Sequence, residues 1–461
     1  MGGGLCQLVA YGVQDVFLTG KIDESETKRG NPRIFYFKAV YRKYTNFSIE
    51  SIIQTPSTTI TKNTTNVSYI ISRSGDLITK MWLKSYFPKV TTTTAGTTMS
   101  SWCNNTGHAY IKECEFLIGG SRIDKHNSMY LDINNEFTDV DEKEHFGLNK
   151  HQSNTYMKSG TSTIAPELQL YVPLKFYFNR NHGYALPLIA LQYHEVEIKF
   201  KLRPLKNLLV SDQIIDAGNI TDPTTELWVD YVFLDTEERT RFAQKSHEYL
   251  VEQVQIQHPE DFTTSIDLKF NHPVKQIIWV STYNNRNNEI DITTNKANPS
   301  IFKPKLFDDS GALSLGTETV GGNDYFNYQV RSNTNTHNIS GESSGSCIFM
   351  NKNVEHFDKM TIKFNSVERL TKQQAIYFRY LHPLNYNLRI PKKTIYTYNF
   401  ALNPNEYQPS GTCNFSRIPQ AILNFDNIGQ SNDSTREIYI FAINYNILTI
   451  HSGMGGLTYA N

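Results

Sequence analysis

The chain has 461 residues, 12% of them aromatic, and its 45 Lys and Arg balance 45 Asp and Glu, giving a formal net charge of +0 and a pI near 7.2. That balance leaves no basic field to hold phosphate backbones, so direct nucleic-acid binding is disfavoured, and no window approaches the roughly 18 consecutive apolar residues of a membrane span. The length exceeds what one hydrophobic core serves and suggests two domains, while 26 Phe and 27 Tyr favour the pleated, half-buried surfaces of a large β protein.

The opening, MGGGLCQLVAYGVQDVFLTG, lacks the basic n-region and unbroken apolar core of a secretory signal; its first basic residue is Lys21. Cys6 stands where a myristoylation motif wants Ser or Thr. The stretch reads as an extended arm whose glycines let the backbone approach a neighbour closely. Five cysteines, Cys6, Cys103, Cys114, Cys347 and Cys413, are odd in number and scattered without a C-x-x-C pair. They read as reduced thiols rather than as a zinc knuckle or a disulfide framework. The N-x-S/T sequons, at Asn46, Asn63, Asn66, Asn104, Asn219, Asn338, Asn414 and Asn432, read as chance in a chain rich in Asn, Ser and Thr.

Predicted strands follow in order: HAYIKECEFLIGG, LQLYVPLKFYFNR, VEIKFKL, ELWVDYVFL, DFTTSIDLKF, VKQIIWVSTY, DKMTIKF and KTIYTYNFAL, separated by turn-rich segments as in a sandwich or barrel. In VEIKFKL, Val196, Ile198, Phe200 and Leu202 alternate with charges, which predicts an antiparallel strand with one wet face. EIYIFAINYNILTI is apolar on both parities and predicts a central strand covered on both sides. Helices are expected only at TEERTRFAQ and at SVERLTKQQAIYFRYLHPL, stopped by Pro383. TTTTAGTT (91–98) and 284–345 read as long polar connections. The order of elements recurs. LYVPLKFYF, a loop, ALQYHEVEIKFKL, a loop and ELWVDYVFL parallel KTIYTYNFAL, a loop, SRIPQAILNF, a loop and EIYIFAINYNIL, which predicts two sandwiches of jelly-roll size joined near 225–250.

No constellation asks to be an active site. GESSG (Gly341 to Gly345) matches the nucleophile elbow G-x-S-x-G, but polar NTNTHNIS precedes it where an apolar strand is required, so it reads as a flexible Ser/Gly loop. His194 and Glu195, as strand neighbours, point to opposite faces and cannot chelate together; His194 reads as a hydrogen-bonded core residue. DVDEKEH (139–145) lacks the glycine and downstream glutamate of a calcium loop. Catalytic, cofactor-binding and metal-binding residues are therefore all expected to be absent.

Several stretches resemble the major capsid proteins of the nucleocytoplasmic large DNA viruses. They are GGGLCQLVAYGVQDVFLTG with NPRIFYFKAVYRKYTNFSIE, RNHGYALPLIALQYHEVEI, FLDTEERTRFAQKSHEYLVEQVQ, HPVKQIIWV, YTYNFALNPNEYQPSGTCNFSRI and YNILTIHSGMGGLTYAN, in the family's order from end to end. The charged KIDESETKRG (21–30) is an insertion relative to the family's pattern. The resemblance implies an all-β double jelly roll, two consecutive eight-stranded antiparallel sandwiches with a few short helices. Its expected divisions are an N-terminal arm at 1–30, a first jelly roll at 31–225 and a second at 226–461. It implies a structural protein without cofactors, a homotrimer forming a pseudo-hexagonal capsomer in an icosahedral virion shell assembled in the host cytoplasm. Expected partners are neighbouring capsomers, minor capsid and penton proteins and an internal viral membrane, with no direct nucleic acid. The arm residues expected to serve assembly are Leu5, Leu8, Val9, Tyr11, Val16 and Phe17. The alternatives are a jelly-roll carbohydrate-binding protein, since such sandwiches host glycan sites, and a cupin-type metalloenzyme, for which no clustered His pair is present.

Overall fold

The computed structural model describes residues 45–91, 99–138, 157–158, 163–211, 214–283, 287, 289–295, 322–328, 355–391, 393–426, 428 and 436–459. Among these, 49–233 and 241–459 form one compact unit, and 45–48 with 234–240 another. Eight strands of the first half are β1 (Phe47–Gln54), β2 (Asn66–Ile70), β3 (Leu77–Phe87), β4 (Ile111–Ile118), β5 (Ser121–Asn127), β6 (Leu168–Pro173), β7 (Val196–Leu202) and β8 (Thr224–Leu234). Eight of the second half are β9 (His247–Asp261), β10 (Ser265–Asp267), β11 (Pro273–Tyr283), β12 (Lys359–Phe364), β13 (Val367–Gln374), β14 (Tyr396–Asn399), β15 (Ala421–Asp426) and β16 (Arg436–His451).

The first half orders its strands β1-β8-β3-β6 in one sheet and β2-β7-β4-β5 in the other. The second orders them β9-β16-β11-β14 and β10-β15-β12-β13, so that each strand has its counterpart eight places on. This is the jelly roll, formed twice with one strand order. Short strands Leu186–Pro187, Cys413–Asn414 and Met454–Leu457 pair antiparallel with β3, β11 and β16. β8 carries the first sandwich past the junction expected at 225/226, because Leu227, Val229 and Tyr231 are buried in its core while β8 pairs with β3.

Alternation decides the faces. In β7, Val196, Ile198, Phe200 and Leu202 are buried while Lys199 and Lys201 are exposed, as the pattern predicts. Phe200 lies opposite Val67 on one side and Cys114 on the other. β16 behaves differently. Ile438, Ile440 and Ala442 face the second sandwich's own core, whereas Phe441 and Ile443 join the cluster that forms the core of the first. The strand is covered on both faces, as its double parity predicts.

Both halves make the hairpin between their fourth and fifth strands with a two-residue turn at positive φ. Gly119 and Gly120 (φ 56° and 77°) join β4 to β5, and Asn365 and Ser366 (φ 49° and 67°) join β12 to β13. Positive φ at both central positions suits the right-handed twist of the strands they connect.

Three expectations are corrected. Val367–Gln374 is a strand rather than the start of a helix: the Asn365–Ser366 turn folds it back onto β12, and ladder pairing overrides its helix-forming residues. Only 375–385 is helical there, Tyr377–Leu381 forming a π-helical turn and His382–Asn385 an α-helical one, with Pro383 at a position where its missing N–H costs nothing. His108, Ala109 and Tyr110 belong to a short helix, Thr106–Tyr110, ahead of β4. The connection 284–345 is not wholly polar surface, since Tyr325, Phe326 and Tyr328 are buried against the first sandwich. TEERTRFAQ is helical as expected, at Thr236–Gln244.

Candidate functional site

The six arm residues, Leu5, Leu8, Val9, Tyr11, Val16 and Phe17, lie outside the described residues, as do DVDEKEH and GESSG. What the described chain shows instead is the joint between its two sandwiches, and the charges buried in it.

Glu252 on β9 sits between two cations. Lys275 of β11 donates to it and to the Pro404 carbonyl at 2.7 Å, and Arg180 of the first sandwich, in the short helix Tyr177–Arg180, pairs with its other oxygen. Burial raises the Glu252 carboxyl, but Arg180 and Lys275 outweigh it and hold the group below its ordinary value. Burial pushes the Lys275 ammonium down to about 8 even with Glu252 opposing the shift. Removing one partner of such a buried set strands a charge, at a cost of roughly 3–5 kcal/mol.

A second cross-joint cluster centres on Asp132, in the helix Ser128–Thr138 that leaves β5. Lys393 of the second half approaches its two oxygens at 2.6 and 2.7 Å, Asn105 donates at 2.8 Å and the Tyr328 hydroxyl at 3.1 Å. A third holds Arg203, which donates to the Ala109 carbonyl at 2.6 Å, pairs with Glu289 at 3.1 Å and lies 4.2 Å from the Tyr325 ring. Backbone and ring contacts complete the seam. Val254 N donates to Asp124 at 3.1 Å, Gln253 donates to the Ile123 carbonyl, and the Tyr130 and Phe441 rings stand 6.1 Å apart.

This chemistry clamps one sandwich to the other. Each charge named is met by an opposite charge or by donors in fixed geometry. Between β4–β5 and β9 lies a cleft of about 590 Å³ whose charges also pair among themselves, Lys112 with Glu289 at 2.7 Å and Lys125 with Glu113 at 3.1 Å. His194 and Glu195 form no site: Gly455 N donates to the His194 ring nitrogen at 3.1 Å, and Glu195 is exposed. His194 is hydrogen-bonded as expected, but half-buried against the second sandwich rather than in a core. No group of three possible metal ligands occurs among the described residues. Cys103, Cys114 and Cys413 are free thiols, and burial pushes Cys103 up to about 12. None of the clamp residues was singled out from sequence, yet a lone charge inside an apolar strand, Lys275 in VKQIIWV or Glu252 in YLVEQV, is the signal that marks them.

Two family descriptions match in tandem: the major capsid protein N-terminus over residues 35–235 and the large eukaryotic DNA virus major capsid protein over 238–456. The major capsid protein of Pyramimonas orientalis virus is 35% identical, with 100% of both chains covered. The chain belongs to the major capsid proteins of large eukaryotic DNA viruses. Another member of this capsid protein family, from Paramecium bursaria Chlorella virus 1, is 36% identical over the whole of both chains. Among solved structures, the quasi-atomic PBCV-1 virus capsid matches with a TM-score of 0.70 at 32% identity, covering 92% of this chain and 100% of that one. The Faustovirus major capsid protein, at a TM-score of 0.62 and 14% identity over 91% and 93% of the chains, shares the fold. These relatives are structural capsid proteins rather than enzymes, and they give the carbohydrate-binding alternative no support.

Proposed function

We propose that three copies of this major capsid protein close into a capsomer of six similar lobes, and that many capsomers tile an icosahedral shell. The observation that carries the reading is the identical strand order of the two sandwiches. Two equivalent lobes per chain, repeated about a threefold axis, give near-sixfold packing through a closed heterologous ring. Residues 1–30 act as an arm ahead of the sandwiches, with Leu5, Leu8, Val9, Tyr11, Val16 and Phe17 meeting neighbouring capsomers, minor capsid or penton proteins, or the internal membrane at the capsomer base. Assembly takes place in the host cytoplasm.

Light scattering of the purified protein at micromolar concentration tests this: the expected mass is three times 52.9 kDa, and a lone monomer contradicts it. Deleting residues 1–20 is expected to leave the trimer and its melting transition in place while weakening shell assembly. Loss of cooperative unfolding in that variant would instead put the arm inside a core.

A further inference from the structure

Asp132 and Lys393 stand apart from the other pairs of the joint. The Asp132 side chain is 2% exposed, and the Lys393 Nζ lies 2.6 Å from one of its oxygens and 2.7 Å from the other. Two contacts that short hold the nitrogen within the roughly 3–3.5 Å of Cγ at which reacting atoms meet in a near-attack conformer. The Phe326 and Tyr328 rings, both buried, stand 5.4 and 5.6 Å from Nζ. In such a setting the charged pair loses ground to its neutral form, an amine beside a carboxylic acid, reached by passing one ammonium proton to the carboxylate.

The neighbouring groups match what acylation of that amine needs. Asn105 Nδ2 donates to one Asp132 oxygen at 2.8 Å and the Tyr328 hydroxyl to the other at 3.1 Å, and donors so placed stabilise the negative oxygen of a tetrahedral intermediate. Glu136 follows Asp132 by one helical turn, on the same face, and is buried at 8% exposure. Burial, then Asp132 and then Glu136 raise the Tyr328 hydroxyl well above its ordinary value, which places the Glu136 carboxylate near the same group that donates to Asp132. The Glu252 clamp lacks this chemistry, because Arg180 keeps its proton and holds Glu252 as a carboxylate.

We infer that Lys393 and Asp132 join in an isopeptide bond, formed by the folded chain on its own, which staples the second sandwich to the first. The carboxyl turns about Cβ–Cγ to present its face, the amine nitrogen attacks Cγ, and as the intermediate collapses an N–C bond has formed and a C–O bond breaks. One oxygen of Asp132 departs as water with two hydrogens that began on the Lys393 ammonium. The first has already crossed to the carboxyl; Glu136 takes the second from nitrogen and hands it to the leaving oxygen. Nothing is oxidised or reduced. The link closes a loop between residues 261 apart in sequence, and so removes freedom from the unfolded chain.

Mass spectrometry of the purified full-length chain, denatured before injection, tests this. The wild-type chain is expected to weigh one water less than its sequence. Its tryptic digest is expected to contain residues 126–143 joined to 393–417, since trypsin does not cut after an acylated lysine. A wild-type chain of full mass, cut normally after Lys393 and yielding 126–143 alone, overturns the inference whether or not any variant folds. Lys393→Arg keeps the positive charge but cannot form this amide, and is expected at the full mass of its own sequence. A water missing from that variant as well would place the loss elsewhere in the chain and overturn the assignment. Glu136→Gln keeps the shape of the side chain and is expected to fold but to stay unlinked; a Glu136→Gln chain linked to the wild-type extent overturns the proton-carrying role given to Glu136.

Discussion

Gly119 shows how one residue fixes the relation between strands that the whole fold repeats. Its φ is +56°, and a Cβ there would stand 2.6 Å from the His194 ring, so a side chain meets backbone strain and a clash together. Gly119→Ala is expected to destabilise by about 1–3 kcal/mol, read as a lower urea midpoint with an unchanged slope. Glu252 sets a dependence on pH. Its carboxyl is held below the ordinary value in the folded state, so its contribution to stability is complete above the unfolded-state pKa and is lost as pH falls through the folded one. Melting temperature is expected to drop as pH is lowered below about 4.5, and Glu252→Gln should make that fall shallower while lowering the melting temperature at neutral pH. A variant with the wild-type acid slope would show that Glu252 is not the titrating group.

At the scale of elements, the same sheet occurs in two environments. The outer face of β9-β16-β11-β14 is buried under the first sandwich, whereas on that of β1-β8-β3-β6 Ile49 and Ile53 are exposed. Phe441→Ala is therefore expected to cost about 3–5 kcal/mol in thermal or urea unfolding, and Ile53→Ala less than about 1 kcal/mol in the isolated chain. Comparable losses at both positions would contradict this difference in cover. Sequence pattern made much of this legible. Period two in VEIKFKL placed its wet face, and double parity in EIYIFAINYNILTI placed it between two cores. Pattern misled at Val367–Gln374, because helical spacing of apolar residues says nothing of a turn that pairs the segment with β12. The clamps were hidden for a related reason. Arg180 and Glu252 are 72 residues apart and Asp132 and Lys393 are 261 apart, and only the docked sandwiches bring them together.

For the whole molecule, the recurrence of element order along the chain foretold the duplication, and the chain-long resemblance foretold the capsid family to which it belongs. Neither reading reached the joint, since the surface that one lobe offers another is set by which strands fall at the sheet edges. One chain folds as two lobes of the same strand order, and in the proposed capsomer three chains imitate a hexagon. Electron microscopy of the purified oligomer tests it most directly: class averages viewed down the symmetry axis should show six lobes of near-equal size in a ring of three chains. A ring of three lobes, or a twofold dimer, would contradict the account.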